Sequence, residues 1–172
     1  MGSLPHFSES STDGAHQMDL AKTVTSSQTT PYAHDFHAWT EQQARLLRQG
    51  QWAEADMEHI AEELDTLGAS ERRELESRLK VLLLHLLKWQ YQPDQRSSSW
   101  IGTIDEQRDQ LDILLRQSPS LRRLMSEYLD YAYPKARRGA SRETGLTPTK
   151  FPDTCPYSAQ DVLDSEFWPD SQ

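Results

Sequence analysis

At 172 residues and 19.8 kDa the chain suits one domain with an appendage, and its 35% hydrophobic content is low for a globular protein. Twenty-seven acidic residues against 18 Lys and Arg leave a formal net charge of −9, which argues against phosphate-driven nucleic-acid binding and against attraction to an anionic membrane. The one cysteine, Cys155, leaves no intrachain disulfide or four-cysteine metal site, and no apolar run approaches the roughly 20 residues that cross a bilayer.

The opening "MGSLPHFSESSTDGAH" lacks the basic and apolar regions of a signal peptide, so the expectation is a cytoplasmic protein. Residues 1–29 are rich in Ser, Thr, Gly, Asp and Gln, without apolar periodicity, and read as a flexible tail in which His6 and His16 are solvated. A helical domain is expected over 30–172. Its first helix starts at Thr30-Pro31 or at Asp35, carries Phe36, Trp39, Gln43, Leu46 and Leu47 as a core stripe, and ends at Gly50.

"QWAEADMEHIAEELDTLG" predicts a second helix with Trp52, Ala53, Met57, Ile60, Ala61, Leu64 and Leu67 inward and Gly68 as its stop. A third begins after Ser70, with Glu71 and Glu74 at its positive end, and runs through Leu75, Leu79, Leu82, Leu83, Leu86 and Leu87 to Pro93. Its apolar face is broad enough for a central helix. Trp100, Ile101, Ile104, Leu111, Leu114 and Leu115 mark a fourth helix, broken at Ser118-Pro119. A fifth runs from about Ser120 to a cap at Gly145, with Pro134 kinking it or dividing it in two.

From about residue 146 four prolines (Pro148, Pro152, Pro156, Pro169) punctuate a strap anchored by Phe151, Tyr157, Val162, Leu163, Phe167 and Trp168. Ser158 caps a short helix there, ending at Leu163. The fold class is therefore all-α: an antiparallel bundle of about five helices with a Pro-rich C-terminal strap.

His85, set among leucines, is the first candidate site residue. Pairing the second and third helices about Gly68-Ala69 would bring it near Trp52 and Asp56. Pairing the third and fourth about Pro93 would bring Asp105 or Glu106 close. An imidazole in apolar surroundings needs a polar partner, and a carboxylate would fix its tautomer. It is either a structural histidine satisfied in this way or a metal ligand or base.

The second candidate is "DMEHIAEEL". Asp56, His59 and Glu62 follow at steps of three, on one helical flank. His37 and Glu41 of the first helix could approach His59 and Glu63, giving an imaginable divalent-metal site of His37, His59, Glu62, Glu63 and His85. Glu-x-x-His, which dimetal bundles use twice, occurs here once and in an Asp variant, and an acid-rich solvated flank explains the same residues. Cys155, beside Pro156 and without a neighbouring histidine, reads as a structural thiol. Trp89, Tyr91 and Trp100 cluster at the turn into the fourth helix, as a bundle end or a pocket wall. "KARRGASR", Lys135 to Arg142, is the one locally basic patch.

The stretches "YAHDFHAWTEQQARLLRQGQW", "AEELDTLGASERRELESRL", "LLLHLLKWQYQPDQRSSSWIGTIDEQR" and "FPDTCPYSAQDVLDSEFWP" closely resemble the DUF29 family, small helical bacterial proteins of unassigned function. The resemblance spans about residues 32–169 and implies an all-helical domain. It brings no activity, cofactor or catalytic set. It marks Glu62 or Glu63, His85, Trp89, Gln90, Trp100, Glu106 and Arg108 as characteristic, whether for a shared ligand site or a shared polar network. The function expected is a non-enzymatic helical interaction module without cofactor, meeting a protein partner or its own copy. The competing reading is a metal-binding protein or metal-dependent hydrolase.

Overall fold

A computed structural model describes residues 32–171. The expected tail, with His6 and His16, lies outside them. The chain divides into two compact units, the first ending at Ala55 and the second beginning at Asp56.

The first unit holds α1 (Phe36–Arg48). Asp35 starts it: its carboxylate accepts from the Ala38 N–H at 2.9 Å, satisfying one of the donors a helix leaves unpaired. Trp39, Gln43 and Leu46 are buried along one face, and Tyr32, Phe36 and Trp39 form a cluster of rings. Phe36 itself is exposed, although its spacing placed it in the stripe. Gly50 takes a left-handed φ of 71°, which lets the chain turn immediately after the helix. Trp52 and Ala53 sit in the turn that follows, not in a helix, and the Trp52 side chain is exposed.

The second unit is built on α2 (Met57–Tyr91), a single helix of 35 residues. This corrects the expected division into two helices. Gly68 does not stop the chain: the left-handed conformation that makes a glycine cap is taken, among the described glycines, by Gly50 and Gly145, and Gly68 stays helical. A helical glycine costs only about 1 kcal/mol relative to alanine, and the strong helix formers that follow it offset that. Asp56 caps the helix, accepting from the His59 N–H. Ser70, expected as a cap, is an interior residue.

α3 (Ser98–Gln117) and α4 (Met125–Thr144) pack on the second half of α2. Leu75, Leu79, Leu82, Leu83, Leu86 and Leu87 are fully buried there with Ile104, Leu111, Ala132 and Ala136. The turn between α2 and α3 begins at Pro93, and Ser118 closes α3 as expected. Pro119 opens a short 3-10 segment, so α4 begins at Met125, later than Ser120. α4 then runs unbroken through Pro134, which stands on its exposed side, where the carbonyl deprived of a donor is close to water. Gly145 ends it with φ 72°, its N–H bonded to the Ser141 carbonyl. At Gly139, α4 comes so close to α2 that a Cβ would meet Leu84 Cδ1 at 2.5 Å.

The remaining chain is the strap. It carries α5 (Ala159–Leu163), opened by a capping box in which the Ser158 and Asp161 side chains each bond the other's backbone N–H. Phe151, Tyr157 and Val162 are buried in the common core. Among the described residues the fold is thus all-α with five α-helices, the fifth lying in the strap and the expected second and third merged into one.

Candidate functional site

Three arrangements contain most of the residues singled out by sequence: a clasp on the strap, a polar cluster about Lys88, and the first half of α2.

The clasp centres on Arg108, buried on α3. Its guanidinium donates from Nε to the Val162 carbonyl at 3.2 Å, from Nη1 to Ser165 at 3.2 Å and from Nη2 to Phe167 at 2.6 Å. A guanidinium presents its donors in a rigid fork, so one side chain ties down three carbonyls from the end of α5 to Phe167. Burial lowers the Arg108 pKa, and the charges of Asp105 and Asp164 oppose that shift.

Trp168 extends the clasp. Its ring lies 5.5 Å from the Arg108 guanidinium and 4.5 Å from the ring of Trp89, over which Arg96 is placed at 4.5 Å. Two tryptophans are therefore bracketed by two arginines across α3, the strap, α2 and the turn after it. Gln90 accepts from the Tyr157 hydroxyl at 2.7 Å, and Tyr133 donates to the Pro152 carbonyl at 2.7 Å. Burial raises the pKa of both tyrosines, which keeps them protonated as donors. Trp89, Gln90 and Arg108 thus meet in one polar network whose other half, Tyr157, Phe167 and Trp168, sequence reading had used only as apolar anchors. Trp100 is not part of it.

Trp100 belongs to the second cluster. The Lys88 ammonium lies 4.4 Å from the centre of its ring and 2.7 Å from Glu143 Oε2. Lys88 is only 8% exposed, so its charge is held by one carboxylate and one aromatic face. His85 is one turn away and half-buried, not enclosed. Its Nδ1–H donates to the Val81 carbonyl at 2.9 Å within the same helix. The expected partners Asp56, Asp105 and Glu106 are not used: Asp56 lies about 43 Å away along α2 at 1.5 Å per residue, and Glu106 accepts from Gln110. Burial is the main cause that lowers the His85 pKa, with Lys88 adding to it and the Val81 bond and Glu143 opposing.

Of the acidic and histidine candidates on α2, His59 and His85 do not share one site. His59 donates from Nδ1 to Asp56 Oδ2 at 2.7 Å, which holds the imidazole at the helix start. His59 and His85 are separated by about 39 Å of continuous helix. His37 lies 3.7 Å from Glu41 on α1, in the first unit. Glu62 is exposed and Glu63 partly so. Among the described residues no three His, Cys, Asp or Glu side chains come together as a metal-holding group. Cys155 donates its S–H toward the Tyr157 carbonyl, and burial pushes its thiol pKa up, away from thiolate. A cavity of about 500 Å³ is lined by Glu76, Glu127, Tyr128, Asp130 and Tyr131. Lys135 closes on it, pairing with Glu76 and lying over the Tyr131 ring.

The third arrangement is the first half of α2. Met57, Leu64 and Leu67, expected inward, are 52%, 64% and 63% exposed. Helical period places them with Ile60 on the row that continues as Leu75, Leu79, Leu82 and Leu86. Farther on, α3 and α4 cover that row. Ser118, at the end of α3, donates to Glu71 at 2.7 Å and marks where the cover begins. Before Glu71 the row leaves Met57, Leu64 and Leu67 exposed, with Ile60 partly buried.

These features define an all-α bundle with a clasped C-terminal strap, and among the described residues no helix is long and apolar enough to cross a membrane. The chain belongs to the DUF29 family, described as a domain of unknown function, whose model matches residues 31–168. No curated protein and no solved structure matches it.

Proposed function

We propose that this protein is a non-enzymatic interaction module that docks a helix of a protein partner on the exposed row of α2. The exposure of Met57, Leu64 and Leu67 in one line is the observation that carries this reading. Single exposed leucines are ordinary, whereas an aligned set at helical spacing is the form a helix-docking surface takes. The clasp and the Lys88 cluster support it by another route. Their polar groups are engaged with strap, ring or carboxylate, so they serve to hold the bundle from which α2 extends. The overall acidity and the composition of the chain favour a cytoplasmic protein partner over nucleic acid or an anionic membrane.

The test is isolation of native complexes from cells producing the full chain or its Leu64→Asp/Leu67→Asp variant. Proteins bound stoichiometrically to the first should be lost from the second, with unchanged thermal melts. An identical set of bound proteins on both chains, or none on either, would refute the reading.

A further inference from the structure

We infer that the cleft between the end of α2, α4 and the start of the strap binds the phosphoryl group of a small phosphomonoester. Tyr91, at the cleft, is about 36 Å along α2 from Leu67, so the inference is independent of the docking reading.

The cleft encloses about 420 Å³, within the range of small-molecule sites. Its walls come from Tyr91 on α2, Arg137 on α4 and the strap from Thr149 to Asp153. Its charge runs against that of the chain. The whole carries a net charge of −9, yet from Ala132 to Gln160 Lys135, Arg137, Arg138, Arg142 and Lys150 stand against Glu143 and Asp153 alone. Lys135 and Glu143 are committed elsewhere, to Glu76 and Lys88. In the cleft itself two cations, Arg137 and Lys150, meet one carboxylate, that of Asp153.

The donors there are in surplus. The Arg137 side chain is only 21% exposed, and its Nε and Nη2 both donate to the Pro148 carbonyl, at 3.2 and 2.8 Å, which fixes the plane of the guanidinium. Nη2 also meets Asp153 Oδ1 at 2.9 Å, but that side chain is 92% exposed, so the pair is weak. Nη1 keeps two N–H groups without a partner among the described residues. Beside Arg137, Tyr133 donates to Pro152 and Tyr157 to Gln90. The Tyr91 hydroxyl makes no such bond among the described residues, and its ring stands edge-on to Phe151. Burial raises the Tyr91 pKa, so the hydroxyl keeps a proton to donate. Lys150 closes the 3-10 turn Pro148–Lys150 with its side chain exposed and no ion pair among the described residues.

A guanidinium edge, an ammonium and a phenol form a set of donors that selects an anion. A phosphomonoester has three terminal oxygens, one for each donor, and a charge near −2 at neutral pH, which two cations match better than a single carboxylate does. Asp153 holds the place of that anion on Arg137 in the free chain, and the ligand displaces it. The rings of Tyr91 and Phe151, with Pro152, give an apolar wall to the organic part of the ester.

Isothermal titration calorimetry of the purified full chain at about pH 7.5, with phenyl phosphate, inorganic phosphate and acetate, tests this. Phenyl phosphate should bind with a Kd on the order of 1 mM, and acetate should give no binding heat up to about 20 mM. Lys150→Glu should weaken phenyl phosphate at least about 10-fold, and Asp153→Asn should tighten it about 3- to 10-fold. Both side chains are exposed, so thermal melts should be unchanged. Tyr91→Phe, which keeps the ring against Phe151, should weaken binding about 3- to 5-fold. No binding heat with phenyl phosphate up to about 20 mM would overturn the inference. So would affinity unchanged by Lys150→Glu and Asp153→Asn, which would put the anion elsewhere. Acetate binding as tightly as phenyl phosphate would overturn the phosphoryl assignment, and tighter binding of inorganic phosphate would overturn the ester.

Discussion

Replacing Arg108 with methionine removes the fork that holds the strap while keeping a side chain of similar length. Three carbonyls, those of Val162, Ser165 and Phe167, then lose a charged donor, and Trp168 loses the cation beside its ring. Hydrogen bonds to charged groups contribute about 1.5–3 kcal/mol each, but the carbonyls of Ser165 and Phe167 belong to exposed or half-buried residues and regain water. Removing the cost of burying a guanidinium offsets part of the rest. The net expected loss is about 3 kcal/mol, equivalent to a fall in Tm of roughly 6–12 °C for a domain of this size. Arg108→Lys should recover less than half, because one ammonium cannot reach three carbonyls spread over the strap. Thermal melts followed by far-ultraviolet circular dichroism give the overall loss. Near-ultraviolet dichroism of Trp89 and Trp168 reports whether the strap detaches first. A loss below about 1 kcal/mol with an unchanged tryptophan signal would refute the clasp.

Gly68→Ala should stabilise the protein by about 0.5–1 kcal/mol in a denaturant melt, since alanine is the better residue inside a helix; a comparable loss would show a left-handed cap there. Tyr157→Phe, which deletes the bond to Gln90, should cost about 1 kcal/mol, and a neutral result would remove Gln90 from the clasp. His85 has its pKa lowered by burial, so between that lowered value and the ordinary 6.5 the unfolded chain binds more protons than the folded one. Its contribution is complete above about pH 6.5 and is lost as the pH falls. Melts of wild type and His85→Gln between about pH 7.5 and 5.5 should therefore show the larger fall for wild type, and parallel curves would contradict the burial of the imidazole.

Much of the fold was legible because its punctuation is local. Asp35, Gly50, Ser118-Pro119, Gly145 and the Ser158–Leu163 turn each act within four residues, and each falls where its chemistry directs. Gly68 misled for the same local reason. A glycine after a helical run looks like a cap, yet whether φ turns positive depends on what the chain meets next. Leu64 and Leu67 illustrate a second limit: periodicity shows that a helix has an apolar face, but it does not say where the covering helices end. Trp89, Gln90 and Arg108 were singled out through the family resemblance together with His85, Trp100 and Glu106, which lie outside the clasp, and their partners, more than 50 residues away in the strap, were not found. His85 was assigned a distant carboxylate when the carbonyl four residues back in its own helix already satisfied it.

The continuity of α2 underlies both the exposed row and its proposed docking, and a distance within one chain tests it most directly. Spin labels at Glu58→Cys and Lys80→Cys, in a Cys155→Ser chain diluted with unlabelled protein, span 22 residues of the helix. The account predicts a backbone separation of about 33 Å between them at 1.5 Å per residue. A hairpin closed at Gly68-Ala69 would instead bring the two positions to about 10 Å, the spacing of packed helices, and would contradict it.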